Sequence, residues 1–255
     1  MIELFGTQIA LDYKLAFLMV SVLLGGIVRG FTGFGSALII MPALTILFGP
    51  RQAIAIEALI EIPVALALLP SAVRHADRHV VTPMCLVLVL AIPFGALALI
   101  HIAPNLMKIG ISLAVLVMAA LLAFQNEFKS LIGRRGTIAA GFVSGLIQGA
   151  TGVGGPPGVI ALLARADNPQ VSRGNVIAFM NCMVTLTALS VWAYGFVSRE
   201  VIVLSMMACP VLLLSVMAGS FAFKRWGDKM LRTVALIFVA LSALATLISA
   251  LPGVF

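Results

Sequence analysis

The chain has 255 residues, of which 62% are hydrophobic and 10% charged, and its mean hydropathy is +1.18. A soluble domain is roughly half apolar and about a quarter charged, so this chain has too little polar surface to cover itself in water. Disorder, collagen, coiled coil and a disulfide scaffold are excluded on the same grounds, and the composition selects a polytopic membrane protein. The formal net charge of +7 comes from basic residues scattered between apolar segments. That is the pattern of membrane-protein loops, and no nucleic-acid-binding signature accompanies it.

Met1 to Lys14 lacks a basic region ahead of a short apolar core and has no small-residue cleavage site, so it does not read as a secretory signal. From there, loop signals separate eight apolar segments, roughly 13–48, 52–70, 80–101, 104–124, 136–165, 172–197, 200–222 and 229–251, judged by the length needed to cross hydrocarbon. The first and fifth are interrupted by glycines. Breakers such as Gly49-Pro50, Ala103-Pro104 and Asp167-Asn168-Pro169 mark the boundaries. The longest polar connection lies near the middle, which divides the chain into a first membrane repeat (1–125), a connecting loop (126–135) and a second membrane repeat (136–255).

The two halves share a fragment. Gly26 to Gly35 aligns without gaps on Gly145 to Gly154, five of the ten positions are identical, and the same offset of 119 carries Pro50 onto Pro169. Matching fragments at matching places indicate an internal repeat, a plan common among transporters. The predicted fold is therefore all-α: about eight helical segments in two pseudosymmetric four-segment repeats, with the first and fifth broken. Small-xxx-small pairs, Gly26 with Gly30 and Gly145 with Gly149, favour close helix approach. Pro156-Pro157 favours the start of a new helix after the second break.

Loop charges address whether the broken segments cross. With Arg29 set aside as intramembrane, eight crossings divide the other Lys and Arg residues 7 to 8. If the first and fifth segments are re-entrant hairpins, one side holds 4 and the other 11, which the positive-inside rule prefers. That topology places both termini outside and inverts the repeats, although the arm 13–30 is by itself long enough to span.

A helix that starts inside the bilayer presents free N–H groups and a positive dipole end, which together attract an anion. The expected substrate site is therefore a small oxyanion pocket between the two breaks. Its candidate residues are Arg29, Thr32, Gly33, Gly35, Ser36, Gln148, Thr151, Gly152, Gly154, Gly155 and Asn181. The competing reading is that the glycines only permit packing and the threonines bond back to their own helices. Arg29 needs a partner or water at that depth. Glu57 and Glu61, spaced i,i+4 on one helix face, are candidate partners and candidate proton carriers.

Cys85, Cys182 and Cys209 lie in apolar segments without CxxC spacing, and His75, His79 and His101 show no ligand spacing, so no metal or cofactor is expected. HExxH, GxSxG and GxxxxGK[ST] motifs are absent, so the chain does not read as an enzyme, and a gradient or a separate ATPase subunit must supply energy. A passive anion channel and the membrane subunit of a larger uptake complex remain alternatives, and a homodimer is kept open as the assembly.

At Arg29-Gly30-Phe31-Thr32-Gly33-Phe34-Gly35-Ser36 with Pro42, and at Gln148 to Pro157, the sequence resembles the TauE/SafE family, the sulfite-exporter or 4-toluene sulfonate uptake group. The resemblance extends over nearly the whole chain. It implies a carrier in the bacterial inner membrane for small sulfur-containing anions: sulfite, sulfoacetate or another organosulfonate. Many members carry Gly-Gly-Gly in each half, where this chain has Phe34-Gly35-Ser36 and Val153-Gly154-Gly155.

Overall fold

A computed structural model describes residues 2–4, 7–9, 13–32, 34–123, 133–165 and 168–226. The apolar segment expected over 229–251 lies outside the described residues. The described chain is helical except for a short antiparallel pair, β1 (Ile2–Leu4) and β2 (Thr7–Ile9), with Ile2 opposite Ile9. Apart from this six-residue ribbon the described elements are helices, in keeping with the all-α expectation. Both strands place β-branched or branched apolar residues beside one polar residue, a composition that suits a pleated ribbon.

The helices are α1 (Tyr13–Thr32), α2 (Ser36–Phe48), α3 (Pro50–His75), α4 (Arg78–His101), α5 (Pro104–Ala123), α6 (Arg134–Thr151), α7 (Gly155–Leu163), α8 (Pro169–Ala193) and α9 (Arg199–Trp226). Local chemistry fixes several ends. The Asp77 carboxylate accepts the His79 N–H at the start of α4, and the Asn168 side chain accepts the Gln170 N–H at the start of α8, each satisfying a donor with no intrahelical acceptor. Among the described helices, α1, α3, α4, α5, α8 and α9 contain stretches long and apolar enough to cross a bilayer. In α6, Arg134, Arg135, Ser144, Gln148 and several glycines dilute the apolar character.

Helix directions follow from specific contacts. The Ser144 hydroxyl accepts the Gly158 N–H at 2.8 Å, so α7 folds back along α6. A Cβ at Gly25 would meet the Ile40 side chain and the Ser36 carbonyl, so α2 folds back along α1. Helices α3 and α8 run antiparallel: Asn181 Nδ2 donates to the Ala65 carbonyl at 2.9 Å, and Gly174 abuts His75 and Ala76. At one end of the molecule, Arg51 donates to the Leu99 and Ile100 carbonyls, joining the start of α3 to the end of α4. At the other end, Asp77, His79, Arg134 and Arg165 line one cavity, so the outer ends of α6 and α7 lie together.

Two seams bring helix backbones into contact. A Cβ on Gly149 would lie 2.0 Å from the Ile92 carbonyl oxygen and 2.8 Å from Ala96 N, and one on Gly95 would lie 2.1 Å from the Leu146 oxygen. Between α1 and α9, a Cβ on Gly30 would lie 2.3 Å from the Val216 oxygen and 2.7 Å from Ser220 N, and one on Gly219 would lie 2.3 Å from the Ile27 oxygen. These seams set α1 parallel to α9 and α6 parallel to α4. Outside the bundle, large side chains such as Leu86, Phe94, Trp192, Leu214 and Phe221 are exposed. Arg29, Glu57, Glu61, Gln148, Asn175 and Asn181 are buried. Apolar outside with ionisable groups inside is the arrangement of a protein solvated by lipid.

Candidate substrate-binding site

The two breaks are built differently. In the first, the chain enters α2 through Gly35, whose φ of 95° is in the left-handed region that favours glycine. The N-cap glycine makes no side-chain hydrogen bond; the Leu38 N–H turns back to the Gly35 carbonyl at 3.1 Å, and the Ser36 and Ala37 N–H groups lack intrahelical acceptors. Arg29, one helical turn before the end of α1, is almost completely buried beside it. Its guanidinium forms an ion pair with Glu61 of α3 and donates from Nη1 to the Ser36 hydroxyl at 3.3 Å. Ser36 in turn donates to Glu61 Oε1 at 2.5 Å. Arg29 Nε is buried without a hydrogen-bond partner.

The second break satisfies itself. Gly152 takes the left-handed turn at φ 74°, and its N–H donates to the Gln148 carbonyl. The Gln148 side-chain oxygen accepts the Gly154 N–H at 2.9 Å, and Ser144 holds the Gly158 N–H. Thr151 donates back to the Ile147 carbonyl at 2.7 Å. Where the first break has a cation at position 29, the second has at position 148 an amide, whose oxygen accepts the Gly154 N–H just before α7.

A cavity of about 40 Å³ lies between the breaks. A water-sized group needs roughly 10–15 Å³ on this measure, so the cavity holds about three or four, the scale of a small oxyanion. Of the candidate residues, Arg29, Gly35, Ser36, Gln148, Gly152 and Gly155 line it together with Glu57 and Glu61. Gly154 and Thr151 belong to the second break without lining the cavity, and Asn181 instead ties α8 to α3. Gly33 and the Thr32 side chain lie outside the described residues. Met180, Met183 and Val184 from the middle of α8 complete the wall; no sequence signal separates them from other apolar residues of that helix. Glu57 is 4% exposed, and among the described residues it has no hydrogen-bond or ion-pair partner. No group of three or more His, Cys, Asp or Glu among the described residues is placed to hold a metal ion.

The family model for the sulfite exporter TauE/SafE matches residues 18–246, nearly the whole chain and all of the cavity. The chain belongs to the TauE/SafE family. As a TauE/SafE protein it is a multi-pass membrane transporter of the sulfite-exporter type, and the buried ion pair and both breaks fall within the matched region. No curated protein and no solved structure matches the chain.

Proposed function

We propose that this TauE/SafE protein is a secondary transporter of a small sulfur-containing oxyanion, such as sulfite, sulfoacetate or another organosulfonate, in the bacterial inner membrane. The observation that carries the reading is Arg29: a buried cation at an uncapped helix start, facing a cavity of oxyanion size. Charge-assisted hydrogen bonds from a guanidinium and from first-turn N–H groups are the donors such an anion requires.

Inverted repeats supply the transport geometry in this reading. Helix ends recur at the offset of 119 (Thr32 with Thr151, Ser36 with Gly155, Pro50 with Pro169). The equivalent helices α3 and α8 run antiparallel, as inverted repeats demand. The seams repeat as well: Gly30 faces the Val216 oxygen and Ser220 nitrogen just as Gly149 faces the Ile92 oxygen and Ala96 nitrogen. The α1–α2 and α6–α7 hairpins re-enter from opposite sides, and the side holding Arg74, Arg134 and Arg165 is cytoplasmic. Movement of one repeat against the other exposes the cavity alternately, and Glu57 or Glu61 carries a coupled proton.

The test is uptake of radiolabelled sulfite into proteoliposomes. Saturable uptake, with counterflow on loading the lumen with unlabelled sulfite, is expected. Flux that rises linearly with concentration and shows no counterflow makes the protein a channel, and no flux of any sulfur oxyanion refutes the assignment of substrate.

A further inference from the structure

We infer that Glu61 is a built-in competitor for the substrate, a tethered carboxylate that fills the anion site at rest and must take up a proton before an oxyanion can bind. This rests on the function proposed above and specifies how the site is regulated.

Among the described residues, the buried charged side chains are Arg29, Glu57 and Glu61. Among the described residues no other titratable group lines the cavity: α1 gives Arg29, α3 gives Glu57 and Glu61, and α2, α6, α7 and α8 present Ser36, Gln148, Pro156 and Met183. Two of the donors suited to an oxyanion, Arg29 Nη1 and the Ser36 hydroxyl, are already in use. Arg29 pairs with Glu61, and the Ser36 hydroxyl, at the first position of α2, points its hydrogen at Glu61 Oε1. A second anion arriving beside an ionised Glu61 would leave uncompensated negative charge in a low-dielectric cavity, which costs several kcal/mol on most estimates.

A proton on Glu61 removes that cost. The neutral acid releases the guanidinium, Ser36 turns its hydroxyl to the incoming oxygen, and the oxyanion takes the place of the carboxylate. The balance is one anion and one proton entering together, with net charge in the cavity unchanged. Glu57, one turn earlier on α3 and lining the same cavity, is placed to pass the proton between water and Glu61. Coupling follows from the charge balance of the site, because one guanidinium cannot neutralise both an ionised Glu61 and the substrate.

The experiment uses methanesulfonate, which stays ionised throughout the accessible pH range, so that any proton taken up belongs to the protein. Calorimetry of the purified protein in two buffers of different ionisation enthalpy counts protons per anion. The expected result is about one proton per methanesulfonate, with affinity falling about tenfold per pH unit across the titration range. In Glu61→Gln, proton uptake vanishes and affinity changes less than about twofold over that range, while Glu57→Gln keeps the pH dependence. Methanesulfonate binding to the wild type without proton uptake overturns the inference and leaves the proposed function standing. Loss of pH dependence in Glu57→Gln but not in Glu61→Gln overturns the choice of carboxylate. Failure of the wild type to bind methanesulfonate or sulfite removes the proposed function, and this inference with it.

Discussion

Arg29→Gln abolishes saturable sulfite uptake and destabilises the protein, whereas Arg29→Gln combined with Glu61→Gln restores stability without restoring uptake. The single substitution leaves the Glu61 carboxylate buried, 1% exposed, with only the Ser36 hydroxyl as a donor. Removing one partner of a buried pair costs about 3–5 kcal/mol because the remaining charge is unpaired. The double substitution replaces the ion pair with two neutral amides that can bond each other, so most of that loss returns. Uptake does not return, because the cation that attracts the oxyanion is gone. Arg29→Lys falls between: it keeps the charge but loses the planar fork that reaches both Ser36 and Glu61. Thermal denaturation in detergent and flux in proteoliposomes read the two effects separately. Full uptake in the double variant would assign Arg29 a purely structural role.

Gly149→Ala and Gly30→Ala each destabilise the bundle by about 3 kcal/mol or more, at the upper end of the cost of overpacking. At both positions the new methyl meets backbone atoms of the neighbouring helix, the Ile92 oxygen at 2.0 Å and the Val216 oxygen at 2.3 Å. Rotamer changes cannot relieve such a contact, so the helices must separate. The two seams share no partners, so the double variant loses close to the sum. Gly110→Ala is the control. Its Cβ has nothing within 4 Å, it lies inside α5, and the gain in helix propensity is up to about 1 kcal/mol. Comparable melting temperatures for Gly149→Ala and Gly110→Ala would remove the backbone contact as the cause.

The parts of this structure legible in the sequence are those that use chemically distinctive residues. Gly and Pro punctuate the chain at 33–35, 49–50 and 152–157, and the helices end there. An Arg after an apolar run requires a partner, and the Glu57–Glu61 pair offers two; the fold brings the Arg29 side chain from α1 to Glu61 of α3, and among the described residues Glu57 makes no hydrogen bond or ion pair. The difference between the two breaks was less visible. The repeat alignment treats Thr32 and Thr151, or Gly35 and Gly154, as equivalents, yet Gln148 and Ser144 together cap one hairpin while Arg29 and Ser36 charge the other. Ser144 carried no signal, since a serine in a glycine-rich helix looks like a packing residue until the fold brings Gly158 N beneath it. The α8 wall was hidden for a related reason: methionines and valines in an apolar helix follow the same pattern whether they face a cavity, a neighbour or lipid.

The central claim is that the substrate oxyanion sits at the start of α2 against Arg29. Anomalous diffraction from crystals soaked in selenite, the selenium analogue of sulfite, tests it most directly. The predicted result is one selenium peak within about 4 Å of the Arg29 guanidinium, the distance set by a charge-assisted hydrogen bond, with the Glu61 carboxylate drawn away from it. A selenium peak elsewhere in the bundle, with the Arg29–Glu61 pair intact, would contradict it.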